Sequence, residues 1–142
     1  MKKTLKAFVA ILLVLASVLC FASCNTVEKT GVWENATCRR DKNFGSGSKT
    51  VVVEVKAEGQ LVTFTVKTDK ESVGAALMEH KIIEGEEGQY GLYIQKVNGM
   101  TADYNVDQSY WAFYVNGEYA EAGIELTAID ASATYQLEYT KG

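Results

Sequence analysis

Histidine occurs once in these 142 residues, cysteine three times, and no stretch of Lys and Arg exceeds a pair such as Arg39-Arg40. Each scarcity narrows the chemistry. Ser-His-Asp or Cys-His catalysis would have to run through His80. The net charge of −4 would repel a polyanion, and no basic cluster is long enough to overcome that, so nucleic acid is not an expected partner. The Gly45-Ser46-Gly47 stretch lacks the Lys-hydroxyl pair and the strand-to-helix setting of a phosphate loop. No internal repeat is present, and the apolar run from Ala7 to Leu19 falls short of the roughly 20 residues that a spanning helix needs.

That run nevertheless has a role. Lys2, Lys3 and Lys6 precede it, and Phe21-Ala22-Ser23-Cys24 follows with small residues ahead of a cysteine. A basic n-region, a short apolar h-region and a small-residue cleavage site are the marks of a secretory leader. The cysteine points to a lipoprotein leader, with Cys24 expected to be acylated and left as the new N-terminus, the alternative being ordinary secretion with cleavage elsewhere. Cys20 is the weaker candidate because bulky Val18 and Leu19 precede it. The expected organisation is a signal peptide over 1–23, a lipid-anchored tether over 24–30 and one domain over 31–142. The anchor makes the membrane a partner and places the domain in the cell envelope, outside the cytoplasm.

The leader carries three lysines and no acids, so the chain from Cys24 onward stands at −7. Cys38 is then its one remaining thiol. Neither an intramolecular disulfide nor a cysteine metal cluster can form, and the fold must be held by packing. Trp33, too large to leave in water, marks where that packing begins.

From Thr50 the residues alternate. Val51, Val53 and Val55 interleave with Val52, Glu54 and Lys56, and Leu61 to Thr68 alternates again beyond Glu58-Gly59. Counting outward from a two-residue turn at Glu58-Gly59 pairs Val55 with Val62, Val53 with Phe64 and Val51 with Val66. Asp69 or Ser72 opens a short helix whose stripe is Val73, Ala76, Leu77 and His80. Glu84-Gly85-Glu86-Glu87-Gly88 reads as an acidic loop, Tyr90 to Val97 as a strand ending at Asn98-Gly99, and Tyr135, Leu137 and Tyr139 as alternate positions of a last strand. Asn116-Gly117 is the strongest turn signal, because a type I′ hairpin requires positive φ at both central residues. It pairs Val115 with Glu118, Tyr114 with Tyr119, Phe113 with Ala120 and Trp111 with Ala122. Trp111, Phe113, Val115, Ala120 and Ala122 should form the core face; Tyr110, Tyr114, Tyr119 and Glu121 should project outward.

Several of these segments resemble one family. Ser72-Val73-Gly74-Ala75-Ala76-Leu77, Tyr90-Gly91-Leu92-Tyr93, Val97-Asn98-Gly99 and above all Tyr110-Trp111-Ala112-Phe113-Tyr114-Val115-Asn116-Gly117-Glu118-Tyr119-Ala120 are similar to the transcobalamin-like C-terminal domain, also known as a domain of unknown function in bacterial surface lipoproteins. The similarity runs from about Trp33 to Tyr139. It implies an α+β fold: a β-grasp-like antiparallel or mixed sheet of hairpins with one short helix packed on it. In transcobalamins this domain caps a helical domain and closes over a corrinoid through loops and apolar or aromatic side chains. The helical partner has no counterpart in these residues, and Asp130-Ala131-Ser132 stands where relatives carry an acidic-glycine-acidic turn.

Bland and functional readings compete at three places. His80 sits where the helix must stop, and capping it in left-handed geometry is favoured over catalysis. Glu84, Glu86 and Glu87 lack the spacing of a calcium loop and read as a solvated turn, so no metal is expected. Tyrosine joins a broad apolar face to a polar tip suited to wet recognition surfaces. Tyr93, Tyr110, Tyr114 and Tyr119 are therefore the candidate ligand-binding residues. No motif demands a cofactor; cobalamin enters through the resemblance as a candidate ligand. The expected function is a non-catalytic, lipid-anchored surface module that binds a corrinoid, the alternative being a structural or adhesion module docking another surface protein.

Overall fold

The computed structural model describes residues 26–142; Cys20 and Cys24 lie outside them. It is a β-rich chain of two sheets. The larger contains β1 (Lys42–Gly45), β2 (Lys49–Ala57), β3 (Gln60–Thr68), β7 (Ser109–Val115), β8 (Glu118–Tyr119) and β9 (Thr134–Lys141), in the order β1-β3-β2-β9-β7-β8. The smaller contains β4 (Ile83–Gly88), β5 (Gly91–Val97) and β6 (Met100–Thr101), in the order β4-β5-β6.

The β2–β3 hairpin has the expected register, Val55 opposite Val62, Val53 opposite Phe64 and Val51 opposite Val66. Period-two alternation delivers all six side chains to one face, where every one is fully buried. Burying a side chain of this size contributes about 1.5–3 kcal/mol. Beside this hairpin lies β9, parallel to β2 and antiparallel to β7, so the last strand is a central one. Tyr135 and Leu137 extend the buried face, and the Tyr135 hydroxyl donates to Ala128 O at 3.2 Å while accepting Asp130 N–H at 2.9 Å.

Helix α1 (Val73–Glu79) is opened by Ser72, whose Oγ accepts the Ala75 N–H at 3.2 Å. Val73, Ala76 and Leu77 are buried as the stripe requires. Its end corrects the reading of His80. His80 has φ of −102°, and the left-handed residue is Lys81 at +54°. Lys81 N–H donates to Met78 O and Ile82 N–H to Leu77 O, a Schellman motif that puts the left-handed position one residue later. His80 instead lies against the Phe44 ring, 5.8 Å between centroids.

Four further differences concern elements that side-chain alternation did not reveal. The acidic segment expected as a loop is β4, paired with β5 and bulged at Glu84/Gly85. β5 ends at Asn98-Gly99 as expected, but the turn there leads into an unexpected β6, with Val97 opposite Met100. β1 forms a parallel edge beside β3. A second short helix, α2 (Tyr104–Asp107), precedes β7, so α1 is not the one helix expected. The chain also joins the domain before Gly31: Thr26 bridges Arg40 and Val27 is buried, so residues 26–30 of the expected tether lie on the domain. Trp33 is fully buried, its Nε1 donating to Ala57 O at 2.8 Å.

Candidate functional site

The Asn116-Gly117 hairpin turns as expected, with φ of +50° and +82°, and sets Val115 opposite Glu118 and Tyr114 opposite Tyr119. The Ala120 N–H still reaches Phe113 O at 3.0 Å, and there the pairing ends. Ala122 is exposed and does not oppose Trp111 in the ladder, contrary to the outward count. Because β8 is only two residues long, the edge of β7 at Trp111 lacks a strand partner.

Across that edge lies β5. Trp111 fixes the spacing, its Nε1 donating to Met100 O at 3.2 Å and so tying β7 to the smaller sheet. Between β5 and the open edge of β7 is a groove of about 490 Å³. Leu92, Tyr93 and Ile94 form one wall, Tyr110, Trp111 and Phe113 the other. The segment from Tyr119 to Ile124 closes an end, and Tyr90 stands at the rim with 94% of its surface exposed.

This arrangement sorts the four candidate tyrosines. Tyr93, Tyr110 and Tyr119 line the groove; Tyr114 does not. Tyr114 packs edge to face on Tyr119, 5.4 Å between ring centroids, as the expected outer pair. Removal from water pushes its phenol above the usual tyrosine pKa, with the Glu138 carboxylate and the neighbouring Tyr110 and Tyr119 adding to the shift. Trp111 was expected to be core and is buried, yet it also lines the groove. Both faces of β7 meet the groove because it wraps around an open strand edge rather than lying on one face.

Sequence reasoning missed Glu125. It follows Ile124 in a 3-10 turn (Ile124–Leu126), and its Oε1 accepts the Leu92 N–H at 3.0 Å. Its Oε2 is buried without a hydrogen-bond partner among the described residues. Gly91 and Gly123 leave room for this carboxylate: a Cβ on either would fall 2.2 and 2.6 Å from its oxygens. The glycines beside Tyr90 and Ala122 were the available signal. A more polar hollow of about 440 Å³ lies on the smaller sheet around Glu84, Lys96 and Asp103, with Glu84 and Lys96 3.5 Å apart. Among the described residues no group of three or more His, Cys, Asp or Glu side chains is placed to hold a metal ion.

The C-terminal half, from α1 through β9, carries the groove, and residues 71–141 match the family model described as "Domain of unknown function (DUF4430)". The chain belongs to the DUF4430 family. No curated protein matches it. Among solved structures, a protein from Ruminococcus gnavus for which metal binding has been suggested is similar at 27% identity and a TM-score of 0.63, covering 67% of this chain and 99% of that one. Haptocorrin in complex with cobinamide is similar at 21% identity and a TM-score of 0.53, covering 70% of this chain but only 27% of haptocorrin. The second likeness is one of fold. It ties the DUF4430 domain of this chain to a transcobalamin-like fold.

Proposed function

We propose that this chain is a non-catalytic binding module, anchored by lipid at Cys24 on the outer side of a bacterial membrane, whose aromatic groove takes one face or edge of a corrinoid. The observation that carries it is the groove beside β7: about 490 Å³, open, and lined by three of the four candidate tyrosines. Pockets of 300–1,000 Å³ with apolar walls and a few polar groups are the usual form of small-molecule sites. A tetrapyrrole-like macrocycle offers broad apolar surface to Tyr93, Trp111 and Tyr119, and amide arms that can donate to a carboxylate such as Glu121 on the rim. The groove is too open to enclose such a ligand, which suits a domain that closes over a ligand held elsewhere. Haptocorrin, of which this chain matches about a quarter, supports that reading. The β-grasp reading rests on the β2–β3 hairpin, the α1 helix and the parallel return of β9 beside β2. His80 lies against Phe44 and outside the groove, which weighs against catalysis.

Equilibrium titration of the chain from residue 24 onward with cobinamide, cobalamin and a non-corrin tetrapyrrole tests the reading. Corrinoid binding that weakens about 5- to 30-fold in Tyr119→Ser or Tyr93→Ser, as loss of a contact of about 1–2 kcal/mol implies, is the expected result. Absence of binding with and without a helical corrinoid-binding partner would leave the adhesion alternative, in which the same aromatic surface docks another protein.

A further inference from the structure

The chain is acidic, yet its cations are not evenly spread. Arg39, Arg40 and Lys42 are consecutive but for Asp41, all are exposed, and none has a carboxylate within ion-pair distance among the described residues. They line a recess of about 320 Å³ with Thr26, Thr37 and Cys38. The one acid in that recess is turned aside, the Asp41 Oδ1 accepting the Thr63 N–H at 2.8 Å. Lys42 lies over the Phe44 ring, its Nζ 5.0 Å from the centroid.

The position of this patch is what gives it meaning. Thr26 bridges Arg40 in antiparallel pairing, and Val27 N–H donates to Arg39 O at 2.8 Å. Cys24 is two residues before Thr26, so an extended chain sets it at most about 7 Å further on. A lipid on Cys24 would therefore hold the patch within about one Debye length of the head groups at physiological salt. The patch also begins β1, at one edge of the larger sheet, whereas β8 is at the other edge. Five strand spacings, on the order of 20 Å, separate the basic edge from the aromatic one.

We propose that Arg39, Arg40 and Lys42 form a contact surface for the anionic head groups of a phospholipid membrane. This turns the β1 edge toward the lipid and presents the aromatic groove to the surroundings. The proposal deepens the anchored reading above and rests on it. The remainder of the chain, being acidic, is repelled by the same surface, so attraction at one edge and repulsion elsewhere act as an orienting couple.

Hydrogen exchange read by mass spectrometry tests this. The chain from residue 24 onward, with Cys38→Ser so that Cys24 is its single thiol, is coupled through Cys24 to a maleimide lipid in vesicles of phosphatidylcholine alone or with phosphatidylglycerol. On the anionic vesicles, exchange over residues 37–43 should slow several-fold relative to the zwitterionic ones, while residues 119–124 remain unchanged. Each neutralised cation should weaken the contact about fivefold. The Arg39→Gln, Arg40→Gln, Lys42→Gln triple variant, or 0.5 M salt, should erase the difference with the melting curve unaltered. Equal exchange on the two lipids, an unaffected triple variant, or protection of 119–124 would overturn the proposal. So would the same footprint produced by inorganic phosphate without vesicles, which would mark a soluble-anion site instead. Coupling is chemical, so this outcome is independent of whether Cys24 is lipidated in cells, which metabolic lipid labelling tests separately.

Discussion

Three turns of one geometry provide an internal control on how strain and packing add. Glu58-Gly59, Asn98-Gly99 and Asn116-Gly117 all have positive φ at both central residues, +49° and +79°, +50° and +82°, and +50° and +82°. Alanine at the second position carries the same left-handed penalty in each, about 1–2 kcal/mol, offset by about 0.4–1 kcal/mol from the narrower unfolded ensemble. The surroundings differ. A Cβ at Gly59 or Gly117 would meet nothing within 4 Å, whereas at Gly99 it would lie 2.6 Å from Asn35 O and 2.7 Å from Thr37 Oγ1. The neighbours there cannot easily retreat, because Thr37 N–H donates to Asn98 O at 2.8 Å and the Asn98 side chain exchanges hydrogen bonds of 2.9 and 2.7 Å with the Cys38 backbone. Overpacking of this kind adds about 1–3 kcal/mol. Urea unfolding of the three single variants should thus give losses of about 1 kcal/mol for Gly59→Ala and Gly117→Ala and about 2–4 kcal/mol for Gly99→Ala. Equal losses at all three sites would refute the packing argument, and no loss at Gly117 would refute the turn.

Other expectations divide the molecule by property. Trp111→Ala should lower stability by about 3–5 kcal/mol in chemical unfolding, since a buried ring is lost and Met100 O loses its donor. The Tyr114→Ser, Tyr119→Ser double variant should melt close to the parent yet bind less ligand; unchanged binding would move the site away from this face. Cys24→Ala should abolish metabolic lipid labelling and leave an unprocessed or released protein, whereas retained label would refute the anchor. The Asp69, Asp107 and Asp130 carboxyls are held below the ordinary 3.8, chiefly by hydrogen bonds from Ser48, Ser109 and Ser132. Carboxyls depressed on folding contribute stability that is present above 3.8 and lost as pH falls further, so urea midpoints should drop below about pH 4. Removing the Ser48 and Ser132 hydroxyls together should reduce that drop only in part, since the Ser48 and Ser132 N–H groups still donate to Asp69 and Asp130. The sign is opposite for Tyr114, whose raised pKa favours the neutral phenol in the fold: its contribution is present below the ordinary 10.0 and is lost as pH climbs through the folded value.

The sequence was legible where structure is local. Hairpin register followed from counting across Glu58-Gly59 and Asn116-Gly117, because alternation and a turn residue are properties of adjacent positions. β1 offered only Phe44 as an apolar signal, and its partner β3 is about 20 residues away. β4 was hidden for another reason. Of its residues only Ile83 is buried, the rest being exposed Glu and Gly, so its strand character comes from pairing with β5 rather than from its side chains. At Gly85 a Cβ would lie 2.1 Å from Tyr93 O, which makes the glycine a condition of that close pairing. The site divides in the same way. Alternation placed the tyrosines of β7 and β8 on an outer face, but which of them share a groove depends on β5 crossing the open edge of β7. Nothing in either segment announces that crossing.

The central place of β9 bears on the order of events as the chain emerges from its N-terminus. β2 and β7 meet only through β9, the last of the described strands in chain order, so the larger sheet exists as two unconnected parts until residues 134–141 have appeared. Contacts this distant in sequence are slow to close and cannot reward a partial chain. A polypeptide arrested before Thr134 would present two long bare strand edges, a template for pairing with other copies. Assembly of the larger sheet therefore waits on β9, however early β2, β3 and β7 are made.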